Sequence, residues 1–343
     1  MNRFPPNFFS GSRKSAIRNV RWQGLLVIVF MLVVAGDVAH AQNKSNLPRI
    51  GILYLGAPPN ANLDAFIRGL GELHYVEGKN ILVEYRFAQG RAERLPELAR
   101  ELVQLRVDAI FTAGTPSIFA VKEATKTIPV VFFSTSDPVG TGAVASLAHP
   151  GGNITGISVL ASDLWPKRLE LLKEIFPKLS RVAMVWNKGN PGMALEAKAT
   201  QEVAAPLGVT VQDRGLKDPN ELEVILAVMS KDRPDGFLAL MDPVLNSYQK
   251  RILDFVTEHR LPAIFENRTW VEAGGLISYG ADYAEAFRRA AVQMDKILRG
   301  TKPADIPVEQ PMKFELVINL KTAKQIGITI PPNVLARADK VIK

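Results

Sequence analysis

The feature that most constrains the fold is an alternation of short apolar segments with longer amphipathic segments that begins near residue 50. The run Ile50–Leu55 has the length and composition of a buried strand, and Leu63–Leu73 then places apolar residues three or four positions apart, as a helix does. Strands that alternate with helices predict parallel sheets covered by helices on both faces. Further strands are predicted at Ile81–Tyr85, Ala109–Thr112, Pro129–Phe133, Ile154–Val159, Val182–Trp186, Val209–Gln212, Gly236–Leu240, Ala263–Glu266, Leu276–Tyr279 and Phe314–Asn319, and further helices at Ala92–Leu105, Asp163–Phe176, Leu245–Glu258 and Tyr283–Arg299.

The number of these units predicts two domains. About ten strand–helix units are more than a single sheet usually contains, and 343 residues are enough for two domains. We therefore predict an α/β fold of two Rossmann-like lobes, with parallel sheets joined by a hinge. Lobe 1 is expected to contain residues 48–158 plus about 283–306, and lobe 2 residues 159–282 plus about 310–343. The lobe that takes the last strand is left open.

Residues 1–41 have the three parts of a signal peptide. A basic region ends at Arg21, the apolar run Leu25–Val34 follows, and Ala39 and Ala41 form a small-residue cleavage site. The run is shorter than the roughly 20 residues that span a bilayer, although a retained anchor is the alternative. Gln42 follows the site where a lipid-anchored precursor would have cysteine. We therefore predict a freely diffusing periplasmic protein.

Charge and composition exclude several classes of function. The net charge is +8, but the first 41 residues hold five basic side chains and one acidic side chain, so half of that charge belongs to the leader. The modest charge that remains gives no reason to expect a nucleic-acid partner. The absence of cysteine excludes disulfides and thiolate catalysis. His74, His149 and His259 lack metal-ligand spacing, so we expect neither a metal nor a cofactor.

Four long segments closely resemble the solute-binding subunits of ABC transporters, in the family that includes tryptophan and tyrosine binders. The resemblance extends over nearly all of residues 48–343 and implies a type I periplasmic binding protein fold, in which three crossing segments join two α/β lobes. It also implies an exported protein that hands its ligand, in the relatives an aromatic amino acid, to a membrane permease. We expect a monomer that binds an amino acid, aromatic or branched, and a permease in the inner membrane. The matching segments are GLGELHYVEGKNILVEYRFAQGRAERLPELA, IPVVFFSTSDPVGTGAVASLAHPGGNITGIS, LPAIFENRTWVEAGGLISYGADYAEAFRRAA and FELVINLKTAKQIGITIPPNVLARADKVI.

Hydroxyl side chains are candidates for the carboxylate of such a ligand. Ligands of open α/β sheets bind beyond the carboxyl ends of the strands, and helix N-termini supply donors for anions. Thr115 and Ser117 lie at a predicted helix start, and Thr135 and Ser136 follow a predicted strand. The alternative for both pairs is a role as caps and turn formers.

Acidic side chains are candidates for the ligand's ammonium group, which needs a fixed anion. Asp137, Asp242 and Glu266 each follow an apolar run directly, so each is predicted at the carboxyl end of a strand. Asp137 and Asp242 precede prolines, so an N-cap role is their alternative. Asn187, which follows the strand Val182–Trp186, is a further candidate.

Aromatic side chains are expected to hold the apolar part of the ligand. Tyr54 lies near the end of the first predicted strand, and Tyr279 ends a later strand near an expected crossing between the lobes. Trp165 and Trp270 are further candidates. The alternative for each is a place in the hydrophobic core, where large aromatic side chains contribute most.

The sequence favours a binding protein whose lobes close on a small solute. An exported hydrolase could use acids at strand ends for general acid or base catalysis. However, the chain lacks a G-x-S-x-G nucleophile motif, a cysteine nucleophile and plausible zinc ligands, so we predict that it is not an enzyme. A periplasmic ligand sensor for a membrane receptor is the other alternative.

Overall fold

The computed structural model describes residues 47–343, except for residues 59, 135, 160, 241 and 312 and the side chains of residues 162 and 219. The chain divides into Met1–Leu47 and Pro48–Lys343, and the second unit is described here. The predicted signal peptide, residues 1–41, lies outside the described residues. None of the helices in the described part is long and apolar enough to cross a membrane.

The first sheet has five strands, all parallel, with helices between them. Its strands are β1 (Arg49–Tyr54), β2 (Leu82–Phe87), β3 (Ala109–Ala113), β4 (Val130–Ser134) and β5 (Ile154–Ser158), and its helices are α1 (Ala61–Glu72), α2 (Leu95–Gln104) and α3 (Thr115–Ala124). The order across the sheet is β2-β1-β3-β4-β5. Short 3₁₀ turns occur at Ala92–Arg94, Pro219–Glu221 and Pro303–Asp305.

The second sheet has seven strands. They are β6 (Arg181–Asn187), β7 (Thr210–Leu216), β8 (Gly236–Ala239), β9 (Ala263–Phe265), β10 (Ile277–Ala281), β11 (Phe314–Asn319) and β12 (Lys340–Ile342). The helices after β5 are α4 (Ala161–Ile175), α5 (Pro191–Ala204), α6 (Leu222–Asp232), α7 (Pro243–Asn246), α8 (Gln249–Glu258), α9 (Arg268–Glu272), α10 (Tyr283–Leu298), α11 (Leu320–Gln325) and α12 (Pro332–Leu335). The order across the sheet is β12-β11-β10-β9-β8-β6-β7.

The predicted α/β class, with two mostly parallel sheets, is confirmed, and one strand pair departs from it. β11 runs antiparallel to β10, whereas the other paired strands of the second sheet are parallel. The chain reaches β11 from a segment bonded to the first sheet, where Ile157 and Glu309 form an isolated bridge. The helix between β10 and β11, α10, packs against the first sheet. The chain therefore returns to the second sheet without a crossover helix packed on that sheet, the connection that makes neighbouring strands parallel.

Two predicted helices have different bounds in the structure. The helix predicted at Leu245–Glu258 is divided into α7, which begins at Pro243, and α8, and the Ser247 hydroxyl donates to the Val244 carbonyl at the end of α7. The helix predicted from Ala92 begins at Leu95 after a 3₁₀ turn. Pro96 lies in its first turn, where the N–H that proline lacks has no helical partner.

A stack of aromatic side chains attaches α10 to the first sheet. Phe66 of α1 stacks on Phe111 of β3 with ring centroids 4.0 Å apart, and Phe287 of α10 meets the Phe111 ring edge-on at 5.5 Å. Phe133 of β4 lies 4.6 Å from Phe287 and 5.2 Å from Tyr283. Aromatic pairs at these distances are stabilising beyond their buried area. They fix the first turn of α10 against the end of β4.

Candidate functional site

A cavity of about 280 Å³ lies between the two sheets. Tyr54, Ala113 and Phe133 line it from β1, β3 and β4, and Asp242 and Glu266 line it from segments that follow β8 and β9. The carboxyl ends of parallel strands from both sheets therefore meet at this cavity, as ligand sites in open α/β sheets do. Its volume suits a small metabolite. Amide side chains form much of the remaining wall, at Asn60, Asn62, Asn190, Asn246, Gln249 and Asn267.

Asp242 is a buried carboxylate whose two oxygens accept four hydrogen bonds. Oδ1 accepts the N–H groups of Val244 and Leu245, both at 3.0 Å, and so caps α7. Oδ2 accepts from the side-chain amides of Asn187 at 2.7 Å and Asn190 at 3.3 Å. Burial raises the pKa of Asp242, although the four hydrogen bonds act in the opposite direction. Asp242 is therefore both an N-cap and a wall of the cavity.

Glu266 follows β9 directly and lies at the cavity wall, where it is 1% exposed. The phenol of Tyr283, in the first turn of α10, donates a 2.6 Å hydrogen bond to Glu266 Oε2. Burial and the Glu266 carboxylate raise the pKa of Tyr283 well above its ordinary value, so this phenol stays a donor. Gly280 of β10 permits the close approach, because a Cβ there would collide with the Glu266 carbonyl oxygen.

The buried guanidinium of Arg168, on α4, holds the ends of β9 and β10. Its Nε donates to the Tyr279 carbonyl at 2.7 Å, and Nη2 donates to the Glu266 carbonyl at 3.4 Å. The guanidinium carbon lies 4.4 Å from the centroid of the Trp165 ring, a cation–π distance. Burial lowers the pKa of Arg168, whereas nearby Glu266 and Glu196 favour its charged form. Arg168 thus supplies a positive charge to a region that contains two buried carboxyl groups.

Glu196 of α5 links the two lobes. The Ser136 hydroxyl, which follows β4 of the first sheet, donates to Glu196 Oε1 at 2.7 Å, and the Trp165 indole donates to Oε2 at 2.9 Å. Burial and the neighbouring Glu266 carboxylate raise the pKa of Glu196 to about 8, and the Ser136 and Trp165 hydrogen bonds and Arg168 only partly offset this effect. Glu196 therefore favours the neutral form while the two lobes are in contact.

Asn60 positions Tyr54 on the wall formed by the first lobe. Its side-chain oxygen accepts from the N–H groups of Asn62 and Leu63 and so caps α1, and its amide donates to the Tyr54 hydroxyl at 3.1 Å. Burial raises the pKa of Tyr54 to about 12, so the phenol stays protonated. The cap of α1 thus also orients an aromatic ring of the cavity.

The structure places three of the predicted site residues in the cavity wall: Tyr54, Asp242 and Glu266. The hydroxyl candidates are not among the described lining residues. Thr115 and Ser117 are buried in the first turn of α3, and Ser136 donates to the second lobe, as above. Thr135 lies outside the described residues.

The two tryptophans lie in the core, as their alternative interpretation has it, whereas Asp137 is neither a described lining residue nor the N-cap of a helix. Asp137 Oδ1 accepts the Val139 N–H at 2.8 Å in the turn after β4. Trp165 and Trp270 are buried, and Trp270 stacks on Phe265 with centroids 5.0 Å apart. These contacts describe a turn former and two core residues.

Asn187 and Tyr279 are not among the described lining residues, but each bonds a residue close to the cavity. Asn187 donates to Asp242, and its own oxygen accepts the Gly189 N–H. Tyr279 contributes a main-chain carbonyl to Arg168. Both residues therefore position other groups rather than line the described wall.

The sequence analysis did not identify the asparagine and glutamine side chains that line the cavity, nor the buried charged side chains on helices. Asn267 directly follows Glu266, so the rule that selects residues after strands could have found it. Asn190 precedes Pro191, and the structure shows that it caps α5, as Asn before Pro often does. Arg168 and Glu196 carry no such signal, because charged residues on amphipathic helices usually face solvent.

The raised pKa of Glu196 predicts a pH dependence of stability. Between pH 4.5 and about 8 the folded protein retains a proton that the unfolded chain has released. The free energy of unfolding therefore falls as pH rises through this window, by up to about 1.4 kcal/mol per pH unit for one proton. Glu196→Gln, an amide that cannot titrate, is expected to lose that contribution to the slope.

Urea unfolding at several pH values between 5 and 8 measures this slope. Glu202→Gln is the matched control, because Glu202 lies on the same helix with its side chain 63% exposed. An unchanged slope in Glu196→Gln would show that Glu196 does not hold the proton.

Comparisons with known proteins bear on the same fold and cavity. The tyrosine-binding protein of Clostridioides difficile (strain R20291) is 28% identical over 301 residues, which cover 85% of this chain and 86% of the relative. A Streptococcus pneumoniae ABC domain solved in complex with L-Trp is 26% identical, with a TM-score of 0.80 over 87% of this chain and 100% of that one.

The ligand-free, open structure of a substrate-binding protein with adhesive properties from Clostridium difficile is 27% identical over the same shares of the two chains, with a TM-score of 0.61. The model of the family described as ABC transporter substrate binding protein matches residues 59–342. That match covers most of the chain and agrees with the resemblance found in the sequence. The chain therefore belongs to the ABC transporter substrate-binding protein family, whose members bind solutes and are not enzymes.

Proposed function

We propose that this chain is the exported solute-binding component of an ABC importer, and that it binds an amino acid, aromatic rather than branched, between its lobes. The observation that carries the proposal is a cavity lined from both sheets, with the carboxylate of Glu266 beside aromatic rings. A relative named for tyrosine and a similar structure that contains L-Trp support an aromatic ligand.

The cavity offers complementary surfaces for the two ends of such a ligand. The Glu266 carboxylate is a fixed anion for an ammonium group, and a charge-assisted hydrogen bond of this kind is about twice as strong as a neutral one. Phe133, Tyr283 and Phe287 line the cavity with rings that already contact one another at 4.6 to 5.2 Å. An aromatic side chain that enters beside them would pack edge-on or tilted, as these rings pack against one another.

Two observations support a closed arrangement of the lobes. The L-Trp complex and the open structure have nearly the same identity to this chain, 26% and 27%, yet the TM-score is 0.80 for the complex and 0.61 for the open structure. The lobes also touch directly, because Ser136 donates to Glu196 across them. We infer that solute binding stabilises this closed form, by hinge closure of the kind that periplasmic binding proteins use.

Removing the charge of Glu266 is expected to weaken amino acid binding. Loss of one partner of a buried charge pair usually costs about 2 kcal/mol or more, so Glu266→Gln should bind its amino acid at least about 30-fold more weakly. Isothermal titration with tyrosine, tryptophan, leucine and isoleucine measures the effect.

Glu258→Gln, at an exposed position of α8, is the control and should leave binding unchanged. Failure of all four amino acids to bind at millimolar concentration would reject the amino acid proposal. Preference for leucine or isoleucine would reject its aromatic part.

The contact at Gly192 allows the closed arrangement of the lobes to be tested by a substitution. A Cβ at Gly192 would collide with the hydroxyl oxygens of Ser136 and Thr115 on the other lobe. Overpacking of this kind typically costs about 1 to 3 kcal/mol, so Gly192→Ala should weaken solute binding by roughly 5- to 150-fold. Small-angle scattering should then show less compaction on adding the amino acid.

Gly71→Ala is the matched control, because Gly71 lies in α1 and its Cβ would meet nothing within 4 Å. It should bind normally and be as stable as the wild type or slightly more stable. Normal affinity and normal compaction in Gly192→Ala would contradict a closed form that depends on this contact.

The proposal that the protein is exported to the periplasm rests on the leader sequence, residues 1–41. We expect cleavage after Ala41, so the protein recovered from the periplasm should begin at Gln42 and behave as a monomer that delivers solute to an inner-membrane permease. Mass spectrometry of the intact protein from an osmotic-shock fraction identifies the N-terminus. Recovery of uncleaved chain in the membrane fraction would instead indicate a retained anchor.

A further inference from the structure

The Glu196 carboxyl group is buried where the two lobes meet. Its Oε1 lies 2.7 Å from the hydroxyl of Ser136, which follows β4 of the first sheet, and its Oε2 accepts the indole N–H of Trp165, on α4, at 2.9 Å. Movement of the first lobe away from α5 would remove Ser136 and open Oε1 to water, whereas the Trp165 bond, within the second lobe, would remain.

The lobes pack closely beside this carboxyl group. Gly192 lies one turn before Glu196 on α5, and a Cβ there would collide with the hydroxyl oxygens of Ser136 and Thr115 on the first lobe. The contact between the lobes therefore encloses the carboxyl group. Loss of hydration in such a position disfavours the charged form of an acid.

Glu196 shares one cation with a second acid. The Arg168 guanidinium on α4 favours the charged form of Glu196, whereas the Glu266 carboxylate, which interacts with the same guanidinium, opposes it. Tyr283 of α10 stays a neutral donor, as described above. One positive charge therefore balances one carboxylate here, and the contact between the lobes is most stable when Glu196 holds a proton.

The first lobe favours the neutral form of Glu196 as well. Its described side chains that lie against α5 or in the turn packed on α5 are two hydroxyls and one acid: Ser136, Thr115 and Asp137. Lys122 of α3 donates to main-chain carbonyls of its own lobe, and on α5 itself the exposed Lys198 pairs with Glu202. Closure therefore strengthens proton binding at Glu196, and opening weakens it.

The hydrogen bonds of Glu196 suit a carboxylic acid. An indole only donates, so Oε2 must accept, whereas a hydroxyl can donate or accept. A proton on Oε1 can therefore be donated to the Ser136 oxygen across the same 2.7 Å. A glutamine at this position offers the same pattern, with a carbonyl oxygen for Trp165 and an N–H for Ser136.

We propose that Glu196 positions the two lobes as a neutral acid and that solute binding takes up a proton there, so that affinity for the solute falls as pH rises. The coupling is reciprocal, because the closed form favours both the solute and the proton. Asn190, the N-cap of the same helix, lines the cavity, so α5 borders both the solute and this contact. The inference rests on the proposed function, because it assumes that solute binding closes the lobes.

Isothermal titration with tyrosine and tryptophan at pH 5.5, 6.5 and 7.5 tests the inference. One proton changes the dissociation constant by up to about tenfold per pH unit, so we expect a rise of at least about 10-fold across this range. Titrations at pH 7 in phosphate and in Tris, which differ in ionisation enthalpy, should show uptake of roughly 0.5 to 1 proton per solute bound.

Glu196→Gln is the decisive variant. It should bind at pH 7.5 within about threefold of the wild-type affinity at pH 5.5, and it should lose the pH dependence and the proton uptake, because its amide does not titrate. Glu202→Gln, on the exposed face of the same helix, should keep both. Ionisation of the ligand is common to all three proteins and cancels in the comparison.

The outcomes separate this inference from the proposed function. If an amino acid binds with an affinity that does not change with pH, or if the pH dependence persists in Glu196→Gln, the inference is wrong while the proposed function stands. The proton count of the wild type needs no variant, so an absence of uptake overturns the inference even if Glu196→Gln does not fold. If neither amino acid binds at any of the three pH values, the proposed aromatic amino acid function is wrong and the inference falls with it.

Discussion

The buried guanidinium of Arg168 is the contact on which the geometry of the site depends. It bonds the carbonyls at the ends of β9 and β10, and so fixes the backbone from which the Glu266 side chain reaches the cavity. Its positive charge also lies among Glu266 and Glu196, whose burial without a cation would be far less favourable. A neutral residue in its place would leave two carbonyls without these donors and would remove a positive charge from beside Glu266.

Strand topology explains why three of the predicted site residues line the cavity. Tyr54, Asp242 and Glu266 lie at or just after strand ends, and parallel strands of one sheet end at the same edge. A rule that uses only position along the chain therefore finds them, although they come from two different sheets. The overall α/β alternation was predictable for the same reason, because the period of the apolar residues decides strand or helix locally.

The remaining features depend on how the lobes meet, which no local pattern encodes. Glu196 lies on a helix where a charged residue would normally face solvent, and it is buried between Trp165 of α4 and Ser136 of the other lobe. Asn187 lies at the carboxyl end of β6, as Glu266 lies just after β9, yet its side chain bonds Asp242. The antiparallel direction of β11 likewise follows from the path of the chain between the sheets, not from the composition of the strand.

The first two turns of α5 connect the cavity wall to the contact between the lobes. Asn190, the N-cap of α5, lines the cavity and donates to Asp242. Two residues later Gly192 packs against the hydroxyls of Thr115 and Ser136, and one turn further Glu196 accepts the Ser136 hydrogen bond. Because a helix moves as a rigid element over so short a distance, a solute that fixes Asn190 also fixes the position of Gly192 and Glu196. The helix start that lines the cavity therefore also forms part of the contact between the two lobes.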